Sequence, residues 1–272
     1  MVNSIRDSLD ENDIISEIKL KLSQDKKKVF VVVEGEDDKK LFLPLLSANS
    51  EILQSYSSSI GVNKIVQYYF KDKRVIGIRD KDYFQKPINE QCFFCDYSCA
   101  EMMIISVDTC FERLYCNCYK GEMSSNKLRI HCLERLEKLS KLRKLSFIND
   151  WGVEFEKTKP GKFYQESIDN MNNAIIADLN IRNPQSPIDA ERVRMCEELP
   201  KCSELADYLL ITNGHDFINL FCNIVTTKHH QVAIDKIETT LRATFGKNEF
   251  SSTKLYKQLL DYQNENNITI VQ

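Results

Sequence analysis

The sequence predicts an α/β fold, a mainly parallel sheet flanked by helices and followed by a largely helical C-terminal extension. Three observations carry this expectation. The run Val29–Val33 is apolar at every position, as a strand covered on both faces requires. Short apolar runs alternate with helical periodicity through residues 29–96, and that alternation indicates βα units and a parallel sheet. Glycine (8) and proline (6) are scarce, which argues against a many-stranded β-protein with its frequent special turns.

Taken in order, residues 4–22 read as an amphipathic helix, with Leu9, Ile14, Ile15, Ile18 and Leu22 near helical spacing. The cluster Lys26, Lys27, Lys28 leads into the first strand, which stops at Glu34 and Gly35. Residues 36–46 fit a helix with Leu41, Phe42 and Leu45 on one face. Residues 51–56 form a second expected strand, 61–70 a short helix, and 74–78 a third strand that ends in Arg79-Asp80-Lys81-Asp82. A fourth covers 91–95 and ends at Asp96. From Ala100 onward the pattern is mostly helical, with an apolar stripe of Leu128, Cys132, Leu136, Leu139, Leu142 and Leu145. Pro160-Gly161, Asn183-Pro184 and Ser186-Pro187 mark loops, and further helices are expected over 203–210, 216–227, 231–244 and 251–263. The division expected is an N-terminal helix (1–26), a catalytic core (27–110) and a helical extension packing on it (111–272).

Composition narrows the function. With 272 residues, 42% hydrophobic and 28% charged but balanced to a net charge of −3, the chain holds enough apolar surface for a core and is no disordered tail. No apolar run reaches the length of a membrane span. Residues 1–12 are acidic without an apolar stretch, unlike a secretory signal, so a cytoplasmic location is expected. The near-neutral charge exerts no global pull on nucleic acid. A local surplus does exist: residues 120–146 hold eight Lys/Arg against three Glu. On that basic helix Lys138, Lys141 and Arg143 are candidates to contact phosphates or a partner protein, the plain alternative being a solvated helix face.

Acidic residues gather where strands finish: Glu34 with Asp38, Asp80 with Asp82, and Asp96 with Glu101. Ligands of an open parallel sheet bind beyond the carboxyl ends of its strands. Carboxylates brought together there repel one another unless a cation neutralises them. Mg²⁺ takes such hard oxygen ligands, and two acids at i and i+2 past a strand can face one ion. Two ions can activate a water and stabilise the leaving oxygen of a phosphodiester. Each cluster also has an ordinary structural explanation, since acids favour a helix's first turn and Asp favours turns.

The stretch Val32-Val33-Glu34-Gly35-Glu36-Asp37-Asp38, with Ile76-Gly77-Ile78-Arg79-Asp80-Lys81-Asp82 after it, resembles the Toprim domain of topoisomerases, primases and OLD nucleases. The arrangement is similar to the stand-alone Toprim nucleases found beside AAA/ABC-type ATPases in bacterial phage defence, the PARIS effectors among them. The resemblance is specific over residues 27–103 and looser beyond. Where that family has Thr-Asp before a helix with a Glu, this chain has Cys95-Asp96 and Glu101, so the Thr is replaced by Cys.

The resemblance implies metal-dependent cleavage of a nucleic-acid backbone. Glu34 would be the acid/base or metal-bridging carboxylate, Asp80 and Asp82 would hold Mg²⁺ or Mn²⁺ as a pair of ions, and Asp38 and Glu101 would complete the outer ligands. It also implies a toxic effector held by an ATPase sensor, with RNA such as tRNA, or DNA, as substrate, and it leaves a homodimer open. The different-class alternative is a non-catalytic Toprim-like binding or regulatory module acting through the ATPase; a primase-like nucleotidyl transferase is a third. The family has a similar Gly-His-Asp, so His215 with Asp216 enters as a candidate proton carrier or outer ligand, against an ordinary turn with Asp216 as helix cap.

Ten cysteines permit a zinc site to be drawn through Cys92, Cys95, Cys99, Cys116 and Cys118. Cys92 and Cys95 fall in a strand, three apart, so they point to opposite faces, and the cysteines read instead as reduced, mostly buried residues. No Gly-x-x-x-x-Gly-Lys-Ser/Thr phosphate loop occurs, so any ATPase activity belongs to a partner.

Overall fold

The β-branched and aromatic run Val29–Val33 forms strand β1, and all five of its side chains are buried. The computed structural model describes residues 10–272, in two units: residues 10–96 together with 246–272, and residues 97–245.

In the first unit, helix α1 (Glu11–Gln24) begins at Asp10, whose side chain accepts the N–H groups of Asn12 and Asp13. The expected residues 4–9 of this helix lie outside the described residues. Strands β1, β2 (Ser50–Gln54), β3 (Val75–Arg79) and β4 (Cys92–Phe94) form one sheet, all parallel, in the order β2-β1-β3-β4. From β1 the chain passes through α2 (Glu36–Phe42) to β2 on one side. It then passes through α3 (Ser58–Lys64) and a π turn (Ile65–Tyr69) to β3 on the other side. The connections therefore diverge between β1 and β3, and the crevice beyond those two strand ends is the topological switch point.

The α1 and α3 side of the sheet is a single apolar cluster. Ile14, Ile15 and Ile18 pack with Phe30 and Val32 of β1, with Val62 and Ile65, and with Val75 of β3. The N-terminal helix is thus part of the core of the first unit, where the sequence had suggested a separate segment. Gly77 lies on this face. A Cβ there would stand 2.6 Å from Val62 Cγ1 and 3.3 Å from Val66 Cγ1, so its missing side chain lets α3 ride close over β3.

The second unit is helical: α4 (Ala100–Ser106), α5 (Asp108–Cys118), α6 (Ser125–Ile148), α7 (Ile168–Arg182), α8 (Ala190–Glu198), α9 (Leu205–Leu209), α10 (Gly214–Val225) and α11 (Ile234–Thr244). The expected stripe on α6 is buried from Leu128 to Leu145. Phe111 of α5 meets Phe217 and Phe221 of α10 edge-on, at ring separations of 6.3 and 6.0 Å.

The chain then returns to the first unit through α12 (Lys247–Ser251) and α13 (Lys254–Asn266). Phe250 packs edge-on against Phe42 at 6.1 Å, Tyr262 against Phe93 at 5.3 Å, and Ser47 N–H donates to Ile270 C=O. This corrects the expected division. The break falls after Asp96 rather than at 110, and residues 246–272 complete the sheet unit. Those contacts join residues about two hundred positions apart, beyond the reach of any local pattern. Among the described residues no helix is long and apolar enough to cross a membrane. The ten cysteines are all free thiols and mostly buried, with Cys116 exposed.

Substituting Gly77→Ala forces a methyl into the β-branched Val62 and is expected to destabilise the protein by about 1–3 kcal/mol, measured by urea unfolding. An unchanged midpoint would show that α3 is free to lift from the sheet.

Candidate functional site

Strand parity builds the site. Side chains alternate between faces, so Glu34 continues the face of Phe30 and Val32, and Arg79 continues that of Val75 and Gly77. The parallel register pairs Phe30 with Val75 and Val32 with Gly77, which carried on by two residues sets Glu34 beside Arg79. On the far side Arg79 is paired with Phe94 of β4. Both strand ends therefore deliver a charged residue to the α3 face at the switch point.

Each polar group in this row has a partner. Glu34 Oε1 accepts the backbone N–H of Asp80 (3.0 Å) and lies 3.6 Å from Arg79 Nε. Glu34 Oε2 accepts the hydroxyl of Ser58 (2.8 Å) at the start of α3. Arg79 is only 4% exposed. Its Nε donates to Asp80 C=O (3.1 Å), and a terminal nitrogen donates to Asp82 Oδ2 (3.3 Å). The guanidinium lies over the rings of Phe84 and Phe94, 4.7 and 5.6 Å from their centroids. Ser58 and Asp82 both hold positive φ, +43° and +47°. Non-glycine residues adopt that region at a cost of roughly 1–2 kcal/mol, and it recurs at functional sites.

Burial pushes the Glu34 carboxyl above its ordinary value, against the opposing pull of Ser58, Arg79 and the Asp80 N–H. Burial raises the Asp82 carboxyl as well, again opposed by Arg79. The donor set that Glu34, Asp80 and Asp82 offer is carboxylate oxygen throughout, which suits Mg²⁺ or Mn²⁺. Each Glu34 oxygen accepts one protein hydrogen bond, and Oε1 also faces the Arg79 guanidinium, so a divalent ion held by these carboxylates would compete with Arg79 for Glu34.

The other expected site residues are placed differently. Asp38 occupies the third position of α2, and its Oδ2 accepts the N–H of Gly35 (3.0 Å), closing the helix start. Asp96 accepts the N–H groups of Lys254 and Leu255, each at 2.8 Å, and so holds the first turn of α13, whose N-cap is Thr253. Glu101 belongs to the second unit, in the first turn of α4. There its carboxylate lies so close to Gly214 that a Cβ on that glycine would approach it to 2.3 Å. His215, one residue on, is exposed at the start of α10. The cap of α10 is Asn213, whose side chain accepts Asp216 N–H, rather than Asp216 itself.

Asp216 is 2% exposed and forms a two-pronged pair with Arg143, at 2.6 and 2.9 Å. Both of its carboxylate oxygens are thus engaged by the guanidinium of Arg143. The expected basic face is corrected in the same way. Arg143 also donates to Phe155 C=O, Lys141 is buried and paired with Glu137 (2.6 Å), and Lys138 pairs with Glu197 (2.9 Å). Lys138 and Arg143 find partners on other helices, and Lys141 finds one a turn away on α6 itself.

Arg79, Ser58, Phe84 and Phe94 escaped the sequence reading. Arg79 had a legible signal, a lone cation closing an apolar strand. Ser58 and the two phenylalanines had none. No family model matches the chain, and a search of the curated proteins finds no match.

A carboxyl raised in the native state contributes stability fully present below its unfolded pKa, about 4.3, and lost as the pH climbs through the native value. In chelator, wild type is accordingly expected to lose stability relative to Glu34→Gln as the pH climbs from below about 4.3 to neutral; thermal melts of both proteins across that range check it. Removing one partner of the buried pair in the second unit, Arg143→Met, is expected to cost about 3–5 kcal/mol by denaturant titration, because Asp216 is left buried without its partner.

Proposed function

We propose that the first unit is the core of a divalent-metal-dependent nuclease that hydrolyses a nucleic-acid phosphodiester. The observation that carries the reading is the meeting of Glu34 with the Asp80-x-Asp82 turn at the switch point, Glu34 accepting the backbone N–H of Asp80. Glu34, Asp80 and Asp82 would hold Mg²⁺ or Mn²⁺, which would supply Lewis-acid polarisation of the phosphate and a more acidic water. The chain supplies the rest. Glu34 has a carboxyl raised by burial and is suited to take a proton from the attacking water. Asp80 and Asp82 supply ligand oxygens, and the left-handed turn at Asp82 keeps that carboxylate beside Arg79.

The resemblance extends the proposal. The substrate is RNA such as tRNA, and the chain is the toxic effector of an ATPase-coupled anti-phage system. A second reading, the non-catalytic Toprim-like module, is favoured by one observation: Arg79 already pairs with Glu34 and Asp82.

Cleavage separates the two. Purified protein incubated with tRNA and with plasmid DNA in Mg²⁺ or Mn²⁺ is expected to cut at least one of them. Glu34→Ala is expected to lower the rate by about 10²–10⁴-fold, the contribution of a positioned acid/base. Absence of cleavage in both substrates would overturn the nuclease reading, and an equally active Glu34→Ala protein would overturn the assignment of the site.

A further inference from the structure

We propose that Arg79 is a resident cation, a positioning residue whose guanidinium holds Glu34 and Asp82 at the switch point when no divalent ion is bound and gives up that role to the ion when one arrives.

Four features of the geometry point to it. The side chain is buried, and a buried guanidinium persists only where charge and hydrogen bonds compensate it. It reaches carboxylates from two different places in the chain, Glu34 after β1 and Asp82 after β3. It is braced by Phe84 and Phe94, so it is held in one place rather than swinging to solvent. Its Nε also donates to Asp80 C=O, which ties the Asp80-x-Asp82 turn to the strand that carries the arginine. An arginine suits this work better than a lysine, because its planar fork addresses several oxygens while stacking on rings.

Without a cation, the carboxylates crowded at this point would repel one another and splay the two strand ends. Arg79 removes that cost in the metal-free protein. A divalent ion would carry twice the charge and would draw on the same carboxylates, so ion and arginine are alternative ways of meeting one electrostatic demand. The clamp stands on the geometry alone; the exchange with metal rests on the reading proposed above.

Thermal unfolding of four proteins tests this: wild type, Arg79→Gln, Glu34→Gln, and the double variant. In chelator, Arg79→Gln is expected to melt several degrees below wild type, and adding Glu34→Gln to recover at least half of that loss, because the charge left stranded is gone. Millimolar Mn²⁺ is expected to raise the melting temperature of Arg79→Gln more than that of wild type. Losses that simply add in the double variant would mean a packing role and overturn the proposal. Recovery by Glu34→Gln with no response to Mn²⁺ in any variant would uphold the clamp and overturn the metal reading instead. Should Arg79→Gln fail to fold, Arg79→Lys, which keeps the charge and loses the fork, takes its place with and without Glu34→Gln, and the same additivity criterion decides.

Discussion

The buried guanidinium of Arg79 beside Glu34 is the interaction on which the arrangement at the switch point depends. Two neighbouring parallel strands end in charges of opposite sign, in register and on the same face. Hydrogen bonds from Ser58 and from the Asp80 backbone complete the coordination of Glu34. Two residues with positive φ, Ser58 and Asp82, stand at its edges, and strain of that kind persists only where surrounding contacts over-determine it. The apolar sheet beneath contributes rigidity, since β1 is buried on both faces and Gly77 lets α3 sit close against β3.

The helical unit solves a different electrostatic problem. Its central helix α6 looks like a basic surface when written as a line of letters. In the fold, Lys138, Lys141 and Arg143 turn to Glu197, Glu137 and Asp216. Two of those three partners lie 59 and 73 residues away in the chain. Charge runs report composition, and only packing decides whether the charges are available. Arg143 is the clearest case, because it bridges α6 to the buried Asp216 and also lies over the ring of Phe155.

The cysteines follow the same logic. Burial pushes the thiols of Cys92, Cys196 and Cys202 up to about 11 and raises that of Cys132 as well. Thiols in that condition are protonated at neutral pH and behave as small apolar residues. Their number reflects how much core this chain fills with cysteine.

The sequence by itself determined the α/β class, all four strands and the positions of Glu34, Asp80 and Asp82 at strand ends, because these follow from local periodicity and from where apolar runs stop. It also contained the pairing of Glu34 with Arg79 implicitly, since parity and register follow once β1 and β3 are known to be neighbours. Tertiary structure alone decided that neighbour relation, the strand order and the return of residues 246–272 to the sheet unit. It alone set Asp96 on the first N–H groups of α13, made Asp216 an arginine partner and brought Glu197 to Lys138. The physical reason is common to all of these. Periodicity acts over a few residues, whereas the partner of a buried charge is chosen by which segments meet after the chain has crossed the fold.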